Sequence, residues 1–164
     1  MMKDAVWQGL LSGAAGVTAM TIGEKLEQLL TGRADSHVPA RVLRRLVGRD
    51  DPGQSPQLAN WIMHLGQGVV LGILRSAMAH AGLRGPWASA KFAVLRLTND
   101  QILENATGVG APPPSWPRDE LAVDLVHKAV YAAVTGIVAD ALAARSGPAD
   151  VGPLPPDLVD SGSD

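Results

Sequence analysis

The stretch AVWQGLLSGAAGVTAMTIG, Ala5 to Gly23, runs 19 residues without a charge. As a helix rising 1.5 Å per residue it covers about 28 Å, close to the hydrocarbon thickness of a bilayer. A helix on the surface of a soluble bundle needs a charged face, and this one has none. The rest of the chain is read against that choice between water and lipid.

A more polar continuation, EKLEQLL, carries the first helix from about residue 5 to 30, and Thr31-Gly32 supplies its stop. Residues 33–56 hold Arg33, Arg41, Arg44, Arg45 and Arg49 and read as a loop, with a short amphipathic helix over Ala40 to Val47. The second helix, 57–80, contains LANWIMHLGQGVVLGIL, uncharged when His64 is neutral. Gly82 to Pro86 is a turn. The third helix, 87–104, carries Lys91, Arg96 and Asp100 and is the weakest membrane candidate. GVGAPPPSWP (108–117) breaks any helix, and the fourth spans 119–145 with Ser115 or Asp119 as its capping residue. The Pro/Gly/Asp-rich tail, 146–164, is expected to be disordered. The sequence thus describes one all-α domain, a four-helix bundle over 1–145.

Composition narrows the function classes. There is no cysteine, so disulfides, thiolate metal sites and cysteine nucleophiles are excluded. A formal charge of −2 gives no basic surface for a nucleic acid. The mean hydropathy of +0.11 is low for a polytopic membrane protein and favours a soluble bundle. Three features oppose it. The first helix lacks a charged face. Gly9/Gly13 and Gly68/Gly72 have the small-xxx-small spacing of helices packed closely in lipid, which also suits a homo-oligomer through Gly-rich faces. Trp7, Trp61, Trp87 and Trp116 fall one per helix near its amino-terminal end, which in an up-down-up-down bundle places two at each membrane boundary. The expected partner is therefore the lipid bilayer, crossed by several helices.

One phrase recurs. QLANWIMH (57–64) and ELAVDLVH (120–127) share Leu-Ala, an aliphatic sixth residue and a final histidine at an offset of 63 residues. EKLEQLLTG (24–32) and DQILENATG (100–108) echo each other likewise. The pattern is that of a tandem two-helix repeat related by an axis along the membrane normal.

Depth follows from the repeat. His64 and His127 each lie roughly 10 Å into their helices, and Glu24 and Asp100 lie about as far from the ends of theirs, on the same side. Gln67, Asp124 and Lys128 join that layer as candidate binding residues, with Lys25, Arg96 and Asn99 nearby. Ionisable groups at membrane depth suit proton or small-solute transport. Alternatively, Glu24, His64, Asp100 and His127 can ligate a divalent metal between helices, or His64 and His127 a haem. No Glu-x-x-His is present, and no cofactor is required by any spacing. A plainer reading makes the layer interfacial, with Asp124–Lys128 an ordinary i,i+4 pair. In the apolar half, Arg75 and Asp140 are close enough in depth to pair. The loop arginines suit an anionic membrane surface, and the excess of arginine on that side places the loops in the cytoplasm.

GLLSG in the first helix, and GVGAPPPSWP leading into a His-bearing last helix, resemble the YagU-like family of small, uncharacterised bacterial inner-membrane proteins. The likeness covers the first helix and residues 108–140. It implies about four helices, a Pro-rich loop before the last and a bacterial inner-membrane location, and it supplies no activity. The Arg-rich loop and the charged third helix depart from it.

Overall fold

The computed structural model describes residues 2–34, 36–48, 56–111 and 113–146. Among them are five α-helices and no strand: α1 Met2–Thr31, α2 Val38–Leu46, α3 Pro56–His80, α4 Pro86–Ala106 and α5 Arg118–Arg145, with one 3-10 turn at Pro113–Ser115. The all-α expectation holds, and the four expected helices correspond to α1, α3, α4 and α5. The short helix expected over Ala40 to Val47 within the loop 33–56 is present as α2, beginning two residues earlier, at Val38, and it buries Ala40 and Val42 and packs on α3. Arg49 and the tail from 147 lie outside the described residues.

Local chemistry sets the helix ends. Gly32, with φ +70°, takes the left-handed conformation that ends α1, and its N–H reaches the Gln28 carbonyl at 2.9 Å. Gly85, with φ +83°, precedes Pro86, whose fixed φ suits the first turn of α4. Neither Ser115 nor Asp119 caps α5, contrary to expectation. Pro117 holds the N-cap position without a side-chain bond. Asp119 already lies within the first turn, where its charge favours the helix dipole instead.

α1 packs along both α3 and α5, α4 lies mainly on α5, and α4 touches α3 at few points. The glycines explain the closest approach. A Cβ on Gly13 would stand 2.6 Å from the Val69 carbonyl oxygen and 2.7 Å from that of Gly68, and one on Gly72 would strike the backbone of Gly9 and Gly13. These small-residue faces are therefore occupied within the chain, between α1 and α3. The repeat, by contrast, is not realised in packing. A two-fold relation would match the α1–α5 interface with an equal α4–α3 one, and the latter is slight.

Pairings across the bundle fix direction. The Tyr131 hydroxyl donates to the Gly68 carbonyl at 2.5 Å, and Arg75 meets Asp140 further along, so α3 and α5 are parallel. Near the start of α1, Gln8 bonds Ser146 and His80, at the ends of α5 and α3. α1 and α4 therefore run opposite to α3 and α5. Trp7 and Trp87 lie at one end of the bundle, Trp61 and Trp116 at the other.

The distribution of polarity is inverted. Gln8, Arg75, Arg96, Asp100 and Lys128 are buried, Arg75 completely. Leu11, Ile22, Val70, Val94, Ile102, Val126 and Ile137 are more than half exposed on the four long helices. An apolar cluster of Val17, Met20, Phe92, Tyr131 and Ala132 fills the middle. Three helical segments, Met2–Thr31, Gln57–His80 and Arg118–Arg145, are long and apolar enough to cross a membrane.

Candidate functional site

Where α1 ends and α3 begins, a cavity of about 780 Å³ lies among all five helices. Glu24, His64, Gln67, Asp100, Asp124, His127 and Lys128 all line it. α1 and α4, together with the parallel α3 and α5, carry these side chains to a similar depth because their spacing from the helix ends is similar.

α2 roofs the cavity with Arg41 and Val42. Its start is tied down by Asn60, whose Oδ1 accepts the Ala40 N–H at 3.2 Å.

The floor is a charged network. Gln67 Nε2 donates to Asp100 Oδ1 at 2.7 Å, Lys128 Nζ lies 3.3 Å from Asp100 Oδ2, and Arg96 Nε lies 3.3 Å from the same oxygen. Lys128 also donates to both Asp124 oxygens at 2.6 Å. The i,i+4 pair is thus present, but it is no ordinary surface pair: Lys128 is buried and joins α5 to α4 through Asp100. Arg96 lies over the Tyr131 ring, 5.1 Å from its centroid, a favourable cation–π distance.

On the wall, His64 Nε2 stands 4.0 Å from Glu24 Oε2 and forms no hydrogen bond among the described residues. Gln28 Nε2 approaches Glu24 at 3.5 Å. His127 lies opposite Gly23 of α1. The structure therefore joins Glu24 to His64, and Asp100 to Lys128, Gln67 and Arg96. Among the described residues, no three His, Asp or Glu side chains converge as a metal-ligand set.

The lining residues not foreseen as part of a site include the charged Arg33, Arg41, Glu104 and Glu120 and the aromatic Trp116. Glu104 was legible, since Arg96, Asp100 and Glu104 recur every four residues on one face of α4. Arg41 was not, because nothing local shows that α2 folds back over the bundle. Arg33 is held by Glu27, with Nη2 2.7 Å from Oε2, and this bond pushes the guanidinium pKa up. Lys25 and Asn99 do not line the cavity.

A second charged cluster sits toward the other end. Arg75 Nη1 lies 2.9 Å from Asp140 Oδ1, while Nη2 donates to Asp140 Oδ2 at 3.0 Å and lies 3.4 Å from Ser89 Oγ. Ser12 Oγ donates back to the Gly9 carbonyl of its own helix at 3.1 Å. Ser89 instead serves Arg75, and Ser76 Oγ bonds none of the described residues.

Comparison of the chain with known protein families, with curated proteins and with solved structures finds no match.

Proposed function

We propose that the chain is an integral membrane protein of the bacterial inner membrane, in which α1, α3, α4 and α5 form a transmembrane bundle. In this reading the cavity is a water-filled vestibule on the cytoplasmic side, serving passage of a small polar solute or protons. The observation that carries it is the inversion of polarity: a network of buried charges floors a cavity inside helices whose outer faces are aliphatic. In water, exposed aliphatics on every long helix would drive aggregation, and buried charges would gain nothing from burial. In lipid the same surface is solvated, and inward charges mark a pathway.

α4 is the apparent exception, since it carries Lys91, Arg96, Asp100 and Glu104. Topology answers it. If the parallel α3 and α5 both cross, α4 must return between them, and its 21 residues span about 31 Å. Arg96 and Asp100 are buried, while Lys91 lies near the helix start, where it can snorkel to the boundary. Tryptophans at both ends and loop arginines on the vestibule side support the same placement. The resemblance of GLLSG and GVGAPPPSWP to the YagU-like group points the same way.

The absence of cysteine gives a clean test. Val123→Cys, on the cavity wall, should react in membranes with a membrane-impermeant maleimide supplied from the loop side. Ile137→Cys, on the outer aliphatic face, should react only after detergent is added. Protection of Val123→Cys would remove the water-filled vestibule. A chain that extracts into buffer without detergent, with both positions reactive, would overturn the membrane reading itself.

A further inference from the structure

The cavity floor contains a guanidinium whose hydrogen-bonding capacity is only partly used. Arg96 is only 3 % exposed and lines the cavity. Its Nε and Nη1 form no hydrogen bond with any described residue. The Asp100 oxygen 3.3 Å from Nε makes an ion pair without hydrogen-bond geometry. Asp100 is also already engaged by Gln67 and Lys128.

A guanidinium offers five N–H donors in a planar fork, and leaving those of Nε and Nη1 unmade when buried is costly. Native interiors satisfy such groups, so orphaned donors beside a cavity ask for an acceptor that arrives from outside. The fork matches two oxygens of one carboxylate or phosphate. The Tyr131 ring beneath it restricts the guanidinium, which lowers the ordering cost of binding.

Charge shapes the solute further. Arg96 and Lys128 balance Asp100 and Asp124 on the floor, and elsewhere on the lining Glu24, Glu104 and Glu120 outnumber Arg33 and Arg41, of which Arg33 is already held by Glu27. A molecule anionic at every end would meet repulsion from those carboxylates. One with a single anionic end, or with a cationic group at its other end, would not.

We infer that Arg96 is the recognition fork for a small solute bearing one carboxylate or comparable oxyanion, seated on the cavity floor with His64 Nε2 available as a further polar contact. This rests on the vestibule reading above.

Titration calorimetry on the full chain in lipid nanodiscs tests it, with acetate, glycine, inorganic phosphate and methylammonium as probes. Saturable binding is expected for at least one oxyanion, and which one binds separates carboxylate from phosphate. Arg96→Gln should weaken it by about thirtyfold or more. Arg96→Lys keeps the charge without the fork and should also bind poorly, and unchanged Val123→Cys labelling in both variant backgrounds guards against a fold-loss artefact. Arg84→Gln, at the opposite end, should bind as the wild type. Binding unchanged in Arg96→Gln, or binding of methylammonium alone, overturns the inference. So does silence from every probe in a protein whose Val123→Cys still labels, although that outcome leaves the vestibule standing. Loss of Val123→Cys labelling would instead strike the vestibule.

Discussion

The Arg75 guanidinium, with no exposed surface, grips the Asp140 carboxylate through two contacts of 2.9 and 3.0 Å, and that carboxylate also accepts the Gly85 N–H at 2.8 Å. One carboxylate on α5 thereby ties α3 to the turn that launches α4, and it satisfies an amide that the start of a helix would otherwise leave unpaired. Asp140→Ala strands a buried guanidinium and should destabilise the protein by about 3–5 kcal/mol. The Arg75→Met/Asp140→Leu pair should lose much less than Asp140→Ala. Thermal unfolding in detergent measures both, and equal losses would mean that the pair is not coupled.

The glycines of α1 and α3 give the sharpest steric forecast. Gly13→Ala pushes a methyl into the Val69 and Gly68 carbonyls, both backbone and unable to swing aside. It should cost about 1–3 kcal/mol. Gly66→Ala, on the same α3 helix with nothing within 4 Å of the new Cβ, should be neutral or stabilise by about 0.5–1 kcal/mol. A common melting shift for the two would show that helix propensity, rather than close approach, decides.

Asn60 holds the roof. Asn60→Ala removes the acceptor for the Ala40 N–H and should cost about 1 kcal/mol locally. Faster hydrogen exchange is expected across Val38–Leu46, with α1, α3 and α5 unchanged. Uniformly faster exchange in all helices would mean that α2 is integral to the bundle rather than a cover on it.

The Tyr131 hydroxyl tests how α5 is held to α3. Tyr131→Phe deletes its bond to the Gly68 carbonyl while keeping the ring beneath Arg96 and beside Phe92. A loss of about 0.5–1.5 kcal/mol is expected, with carboxylate binding at Arg96 unchanged. A variant that keeps its melting point but loses binding would place the hydroxyl in the binding site instead.

Metal analysis and a visible spectrum settle the cofactor alternative that the two histidines raise. The protein purified in mild detergent should be colourless and carry no stoichiometric metal. Stoichiometric metal or a Soret band that disappears in His64→Ala/His127→Ala would restore ligation by that pair.

Much of the fold is written locally. The uncharged run in α1, the stop at Thr31-Gly32, the Pro-rich break before α5 and the tryptophan at each helix start follow from residue chemistry and helical rise alone. So does the depth of the polar layer: Glu24, His64, Gln67, Asp100, Asp124, His127 and Lys128 share a cavity because each sits at a similar distance from its helix end. The sequence by itself determined the number of long helices, which glycines permit close approach and at what level the charges lie, since these depend on a fixed rise per residue and on the size of single side chains.

Which charge meets which was decided only by tertiary structure. The repeat expects Glu24–His64 to be mirrored by Asp100–His127, but Asp100 turns to Lys128, Gln67 and Arg96. Helix rotation and the unequal packing of α1 and α4 break the symmetry, and neither is encoded in the period of one helix. The roof formed by α2 belongs to the same class, because a nine-residue helix has no preferred location until Ala40 and Val42 find α3. Depth is a property of one helix; partnership is a property of the space between them.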